Sequence, residues 1–258
     1  MNNIKLISIF ILVVVIILLI LGLVGKKSHF SNLEVKLIKK NIIGTEILIP
    51  LATKWKSNRD DFKDRFLNHE IKTNTKLKSL VENISNTNVL DAGAHVGDTG
   101  LFLAKHLKDI NKTDVKIIMI EPNKEKIKFI NEVIRINNLE NYTKVYNYAI
   151  GKKYEKGKIK KVGHSGMWTI EKCNNSDCDI EIDSLDNLLK GIKIGIMHLD
   201  VEGYEYEVLQ GSTNILSKYK PKLIIEVIHS KKELLESILN NYKYKFKESL
   251  PPNDSFYE

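Results

Sequence analysis

From residue 88 to residue 228, short apolar runs alternate with segments of helical periodicity, and this alternation limits the fold more than any other feature. The runs are NVLDAG (88–93), KIIMIE (116–121), KVYNYAI (144–150), IGIMHLD (194–200) and KLIIEVI (222–228). Each is too short for a helix that could stand alone and is bounded by Gly, Pro, Asn or charge, so each predicts a strand. The spacers predict helices near 97–108, 124–137, 204–218 and 231–241. Strands joined by helical crossovers form a parallel sheet, which makes the expected class α/β. Residues 151–182 break the rhythm and predict a hairpin-like excursion over one sheet edge. KYKFKES then predicts a sixth strand and SFYE a short seventh. A chain of 258 residues holds one such domain with some chain to spare.

The spare chain is N-terminal. LISIFILVVVIILLILGLV, residues 6–24, carries no charge, and at about 1.5 Å per residue it is long enough for a hydrocarbon core of about 30 Å. LGLVGKK matches a signal-cleavage site poorly, so the run predicts an uncleaved single-pass anchor. Lys5 lies before it, whereas Lys26, Lys27, Lys36, Lys39 and Lys40 follow it. The positive-inside tendency then predicts a membrane protein whose body is cytoplasmic. The expected division is a membrane anchor over 1–27, a linker with short helices over 28–86 and the main domain over 87–258. In the linker the apolar positions Leu33, Leu37 and Ile38, then Phe62 and Phe66, then Leu77, Leu80, Val81 and Ile84 fall at helical spacing.

The net charge is +8, which by itself would fit nucleic acid. Arg occurs only at Arg59, Arg65 and Arg135, however, and Lys is scattered along the chain. Nucleic-acid recognition leans on clustered Arg forks and interleaved aromatics, so no nucleic-acid partner is expected. Cys173 and Cys178 are the only cysteines. One C-x4-C pair is not a zinc framework, and reduced thiols in a loop are the expectation.

The first loop of the main domain, VLDAGAHVGDTG, reads as a strand, a Gly-containing turn and a helix start. Gly93 and Gly97 permit positive φ and close backbone approach, at the strand ends where open α/β sheets bind ligands. The spacing is not G-x-G-x-x-G, and Asp91 precedes it. A pyrophosphate gains nothing from that carboxylate, while an ammonium or sulfonium does. Glu121 ends the second strand, where a carboxylate can accept both hydroxyls of a ribose. Together these features point to a nucleoside cofactor without phosphates, S-adenosylmethionine.

LDAGAHVGDTG, IEPNKEKIKFINEVIRIN, YAIG, IDSLDNLL, HLDVEGYEYEVLQG and PKLIIEV occur in this order over residues 88–228. In this ordered set the chain resembles the FkbM-type methyltransferases, a branch of the class I S-adenosylmethionine-dependent enzymes. The resemblance implies a Rossmann-like class I methyltransferase sheet of seven strands with helices on both faces. It also implies methyl transfer to a hydroxyl, often on a sugar or another small scaffold. Carried over by position, Asp91, Gly93, Ala94, His95 and Gly97 line the methionine side of the cofactor, Glu121 binds the ribose, and Ala149 lies by the adenine. Asp200, Glu202, Gly203 and Glu205 match the family's D-x-E-G-x-E signature. Two positions depart from the pattern: His95 stands where Asn is common, and His198 where Lys is common.

The acidic run DVEGYEYE raises the question of what four neighbouring carboxylates do. Gly203 is expected to end the strand, leaving Asp200 in the crevice and Glu205 and Glu207 in the first turn of a helix, where the dipole favours them by about 0.3–1 kcal/mol each. Methyl transfer is an in-line displacement in which positioning supplies much of the rate, and a hydroxyl acceptor benefits from a base in reach. Asp200, Glu202 and Glu226 are the candidate catalytic residues, with His164, His198 and His229 as lesser ones. A divalent metal held by Asp200 and Glu226 is conceivable but not favoured, because no His-rich or D-x-D cluster demands it. GHSGMWTI offers Trp168 either as a stacking surface for a small-molecule or glycan acceptor or, with Met167, as a packing residue of the hairpin. The competing reading is a membrane-tethered interaction module that keeps the fold without catalysis. A nicotinamide oxidoreductase is a third, disfavoured by the missing G-x-G-x-x-G spacing.

Overall fold

The computed structural model describes residues 36–51, 66, 70–162, 167–173, 178–227 and 231–258. It opens with a two-stranded antiparallel hairpin, β1 (Leu37–Ile42) and β2 (Thr45–Pro50), followed by helix α1 (Ile71–Glu82). The main domain then runs β3 (Thr87–Ala92), α2 (Asp98–Asp109), β4 (Val115–Ile120), α3 (Lys124–Asn137) and β5 (Thr143–Tyr146). Strands β6 (Ala149–Ile150), β7 (Glu155–Val162), β8 (Met167–Lys172) and β9 (Ile180–Asp183) follow, then a short helix α4 (Leu185–Leu188) and β10 (Ile194–Leu199). The chain closes with α5 (Glu205–Gln210), α6 (Thr213–Lys218), β11 (Lys222–Glu226), α7 (Lys232–Asn241), β12 (Phe246–Leu250) and β13 (Asp254–Tyr257).

Seven strands form the central sheet in the order β12-β13-β11-β10-β3-β4-β5. Strand β13 runs antiparallel to both neighbours and the other ladders are parallel. This is the expected α/β sheet, and it includes the sixth and seventh strands expected at the C-terminus. Because strand side chains alternate faces, neighbouring residues feed different cores. Val89, Ile117, Ile196 and Ile224 pack with Leu77, Phe102 and Phe129 under α1, α2 and α3. Leu90, Ile118, Met197 and Ile225 pack with Leu185, Leu209, Leu216 and Leu235 under α4 to α7. Helices therefore cover both faces.

Several elements depart from the sequence reading for identifiable reasons. The segment expected as a linker with short helices contains the β1/β2 hairpin. Its two-residue turn holds Ile43 at φ 48° and Gly44 at φ 79°, the paired positive φ of a tight hairpin turn. Ile42, Ile47 and Ile49 enter the same core as α2 and α3, and the Asn137 side chain exchanges hydrogen bonds with the Leu48 backbone at 2.9 and 2.8 Å. The strand expected over 144–150 divides, because Asn147 Nδ2 donates to the carbonyls of Glu121 and Pro122 and the chain leaves for a second sheet. That sheet, ordered β6-β9-β7-β8, is the expected excursion. The helix expected over 204–218 breaks at Gly211, where a Cβ would lie 2.2 Å from the Gly151 carbonyl oxygen.

Cys173 and Cys178, expected as reduced thiols, form a disulfide, with Cα atoms 6.0 Å apart, inside the usual bridging range. The expected membrane span at 6–24 lies outside the described residues. Among the described residues no helix is long and apolar enough to cross a membrane; the longest, α3, has 14 residues and reaches only about 21 Å. The single-pass membrane localisation read from the sequence is corrected accordingly.

Candidate functional site

The candidate site is built where β3, β4, β10 and β11 end side by side. After β3 the chain turns through Gly93 (φ 82°), His95 (φ 50°) and Gly97 (φ 80°) into α2. The amides of this turn are engaged within the protein. Gly93 N and Ala94 N both donate to the Ile120 carbonyl at 3.0 Å, and His95 N donates to Glu121 Oε2 at 3.0 Å. Glu121 Oε1 accepts from Asn123 N at 2.9 Å, and the Asn123 side chain in turn caps α3 through Glu125 N and Lys126 N. One carboxylate thus ties the first loop to the start of the third helix. Burial pushes the Glu121 carboxyl above its ordinary range, against the opposing pull of Lys126 and of the Asn123 and His95 amides.

The two glycines have the positive φ expected of them, and they also permit close packing within the protein. A Cβ on Gly93 would lie 1.8 Å from the Asp200 carbonyl oxygen, and one on Gly97 would lie 2.8 Å from Leu101 Cδ1 and 3.1 Å from Ile130 Cγ1. Both are required by protein packing against the loop. Ala94 is buried in the core with Val96, and Ala149 is buried with Ile180 and Ile182 in the second sheet. Beside Glu121, a cleft of about 260 Å³ lies between the Pro122–Glu125 turn and Ile159, Asp179 and Ile180 of the second sheet.

At the other end of the crevice, Asp200 follows β10 and Glu226 ends the neighbouring strand β11, close enough for each carboxyl to feel the other's charge. Burial raises the Asp200 carboxyl well above its ordinary value and Glu226 adds to this, while His198 pulls it down. Burial also raises the Glu226 carboxyl. Each charge works against ionisation of the other, as expected for neighbouring carboxyls partly withdrawn from water. Glu226 Oε2 is buried without a hydrogen-bond partner.

The rest of the acidic run separates as its residue types and the turn demand. Glu202 is exposed, at φ 53° in the turn. Glu205 is fully buried, and its Oε1 accepts from the amides of Val201 and Gly203 at 3.2 and 3.0 Å, so it fastens the loop that carries Asp200. Lys231 Nζ donates to the Gly203 carbonyl on the same loop. Asp91 does not face the open crevice. It is 2% exposed, and its Oδ1 meets His198 Nδ1 at 2.9 Å. Burial by itself lowers the His198 pKa, but the Asp91 hydrogen bond and the charges of Asp91, Asp254 and Asp200 prevail and push it up to about 9. His164 and His229 lie outside the described residues, and β8 carries Trp168.

Two groups not singled out in the sequence also reach this region. Glu70, just ahead of α1, and Asp254, at the start of β13, each place a carboxylate oxygen near His198. Asp254 pairs in register with Glu226, a contact that only the strand order creates.

Solved methyltransferases resemble this chain in structure. Methyltransferase FkbM from Methylobacillus flagellatus KT is 21% identical with a TM-score of 0.49, covering 68% of this chain and 44% of its own. A SAM dependent methyltransferase from Aquifex aeolicus is 14% identical with a TM-score of 0.47, covering 78% and 98%. A SAM-dependent O-methyltransferase from Thermotoga maritima is 9% identical with a TM-score of 0.46, covering 72% and 63%. The chain thus spans less than half the length of the Methylobacillus protein. No curated protein matches it in sequence. The Methyltransferase FkbM domain matches residues 91–246, more than half of the chain, which therefore belongs to the FkbM methyltransferase family.

Proposed function

We propose that this protein is an S-adenosylmethionine-dependent methyltransferase that methylates a hydroxyl on a sugar or another small scaffold. The observation that carries the reading is the half-buried Asp200–Glu226 carboxyl pair at the ends of the neighbouring strands β10 and β11, with the Gly93 turn close against the Asp200 backbone. The donor set fits a nucleoside cofactor without phosphates. The amides of Gly93, Ala94 and His95 already have protein acceptors, so the turn is not a cradle for a pyrophosphate. Glu121 carries one amide on each oxygen, and each oxygen retains a lone pair for a ribose hydroxyl. The cleft at Pro122–Glu125, with Ile159 and Ile180 on its far wall, offers an apolar surface for the base.

S-adenosylmethionine, when bound, supplies an electrophilic methyl group on a sulfonium. The work left to the chain is orientation and proton handling. Asp200 and Glu226 stand together at the strand ends, and an ionised member of the pair can take the proton of an acceptor hydroxyl as its oxygen is methylated. Glu205 and Lys231 fix the loop that sets the Asp200 position. Glu202 is exposed in the same turn and is open to an acceptor from the solvent side. Calorimetry on the full chain tests the reading: S-adenosylmethionine is expected to bind and NAD is not. Absence of S-adenosylmethionine binding at millimolar concentration would overturn it. Labelled cofactor with cell extracts would then identify the acceptor.

A further inference from the structure

His198 is 4% exposed and its two ring nitrogens have different surroundings. Nδ1 meets Asp91 Oδ1 at 2.9 Å, whereas Nε2 is buried with no hydrogen-bond partner. A buried polar atom without a partner is uncommon and calls for an explanation. The imidazole has acids around it: a ring nitrogen of His198 and one carboxylate oxygen each from Glu70 and Asp254 are all within 4.8 Å of one another. Asp254 is itself held from behind, since Thr73 Oγ1 donates to its Oδ2 at 2.5 Å.

We propose that Glu70, His198 and Asp254 form a binding site for a divalent transition-metal ion of the zinc type. The ligand set, one imidazole and two carboxylates, suits such an ion and leaves a coordination position open. The arrangement behind the imidazole also fits. A metal-bound His commonly gives its other ring N–H to a carboxylate, which fixes the tautomer and ring orientation, and Asp91 stands where that partner belongs. With Nδ1–H donated to Asp91, Nε2 is the nitrogen left for an ion, which displaces the Nε2 proton on binding. A tetrahedral ion with bonds of about 2.0–2.1 Å has ligand atoms about 3.3–3.4 Å apart, so the three groups draw together by about an ångström when the ion enters. A dication also offsets the negative charge that Asp91 and Asp254 bring to His198. The site differs from the Asp200–Glu226 pair considered in the sequence, and it stands on three segments far apart in the chain: the residue before α1, strand β10 and strand β13.

The test uses the full-length, tag-free chain, stripped with a chelator and then dialysed against Co²⁺ alone or Zn²⁺ alone, without S-adenosylmethionine. One equivalent of metal by elemental analysis is expected, with a visible ligand-field spectrum for the Co²⁺ form. D254N and H198A are expected to lose the bound ion. D91N, which removes the carboxylate behind the imidazole, is expected to weaken binding by about 10–100-fold. H198K guards against loss through misfolding: it places an ammonium in the site, so it is expected to fold by circular dichroism and to bind no Co²⁺. Less than half an equivalent on the wild-type chain at submillimolar metal would overturn the proposal and leave His198 as an imidazolium among carboxylates. Undiminished binding in both H198K and D254N would overturn it too. Because no cofactor is present in the assay, either result leaves the methyltransferase reading to its own test.

Discussion

Gly93 offers the sharpest test of how the first loop is built. Two separate penalties meet in Gly93→Ala. The residue sits at φ 82°, and a left-handed conformation costs an L-residue about 1–2 kcal/mol. The new methyl group would also lie 1.8 Å from the Asp200 carbonyl oxygen, 2.7 Å from its carbon and 3.3 Å from Val201 Cγ1. Ordinary contact needs about 3.5 Å, so the turn and the end of β10 must separate by well over an ångström. The two are joined by the hydrogen bond from Asp200 N to the Ala92 carbonyl, 3.0 Å long, which that separation breaks. Overpacking of this kind adds about 1–3 kcal/mol, for a total of about 2–5 kcal/mol. Gly191→Ala isolates the first penalty, since Gly191 has φ 80° with nothing within 4 Å of the added Cβ, and it should lose only about 1–2 kcal/mol. Urea unfolding followed by circular dichroism measures both, and calorimetry with S-adenosylmethionine reports the site. G93A should be the less stable by more than 1 kcal/mol and should bind cofactor far more weakly, while G191A binds normally. Equal stability losses with cofactor binding intact in G93A would refute the close approach of loop and strand, and with it the assignment of the Asp200 position.

Other expectations concern single side chains. Asp200→Asn should lower methyl transfer by at least about 100-fold, and the wild-type rate should climb with pH as the raised Asp200–Glu226 pair ionises; full activity in the variant, or a flat wild-type profile, would remove the pair from the chemistry. Glu121 has a folded-state pKa above its ordinary value, so its contribution to stability is present below the unfolded pKa and is lost as pH rises through the folded one. Denaturant titrations at about pH 4 and about pH 8 should therefore show wild type losing ground to Glu121→Gln toward the higher pH, and the opposite trend would contradict the burial argument. Tyr244 OH donates to the Pro221 carbonyl at 2.8 Å in a buried position, so Tyr244→Phe should cost about 1–3 kcal/mol in the same unfolding assay; a change within error would show that the carbonyl finds another donor.

The sheet was legible in the sequence because its strands are buried on both faces. Such strands appear as unbroken apolar runs, as in KIIMIE and KLIIEVI, and α3 was bounded correctly because Asn123 supplies an N-cap ahead of an amphipathic stretch. The β1/β2 hairpin was missed because its core-facing residues, Ile42, Ile47 and Ile49, are few and its partner, Asn137 of α3, is remote in sequence. Its one local signal was the Ile43-Gly44 turn, flanked by the alternation in TEILIP. The break at Gly211 had no local signal, since it answers to the carbonyl of Gly151. In each case the missing information is a long-range contact.

The site divides along the same line. Positions at strand ends could be named from spacing, and the turn at Gly203 rightly parted Asp200 from Glu205 and Glu207. What spacing did not convey is which acids share a pocket. Asp200 meets Glu226 because β10 and β11 are neighbours, and Asp254 joins them because β13 inserts antiparallel beside β11. Glu70 arrives from outside the domain that the motifs mark. Asp91 illustrates the consequence: read as a partner for a cationic ligand, it is buried beneath the turn with His198. Its carboxylate acts on the crevice through that imidazole, since His198 pulls down the Asp200 carboxyl that Glu226 pushes up. A single substitution at His198 is therefore expected to alter Asp200, two residues away on the chain, more than any change at the exposed Glu202.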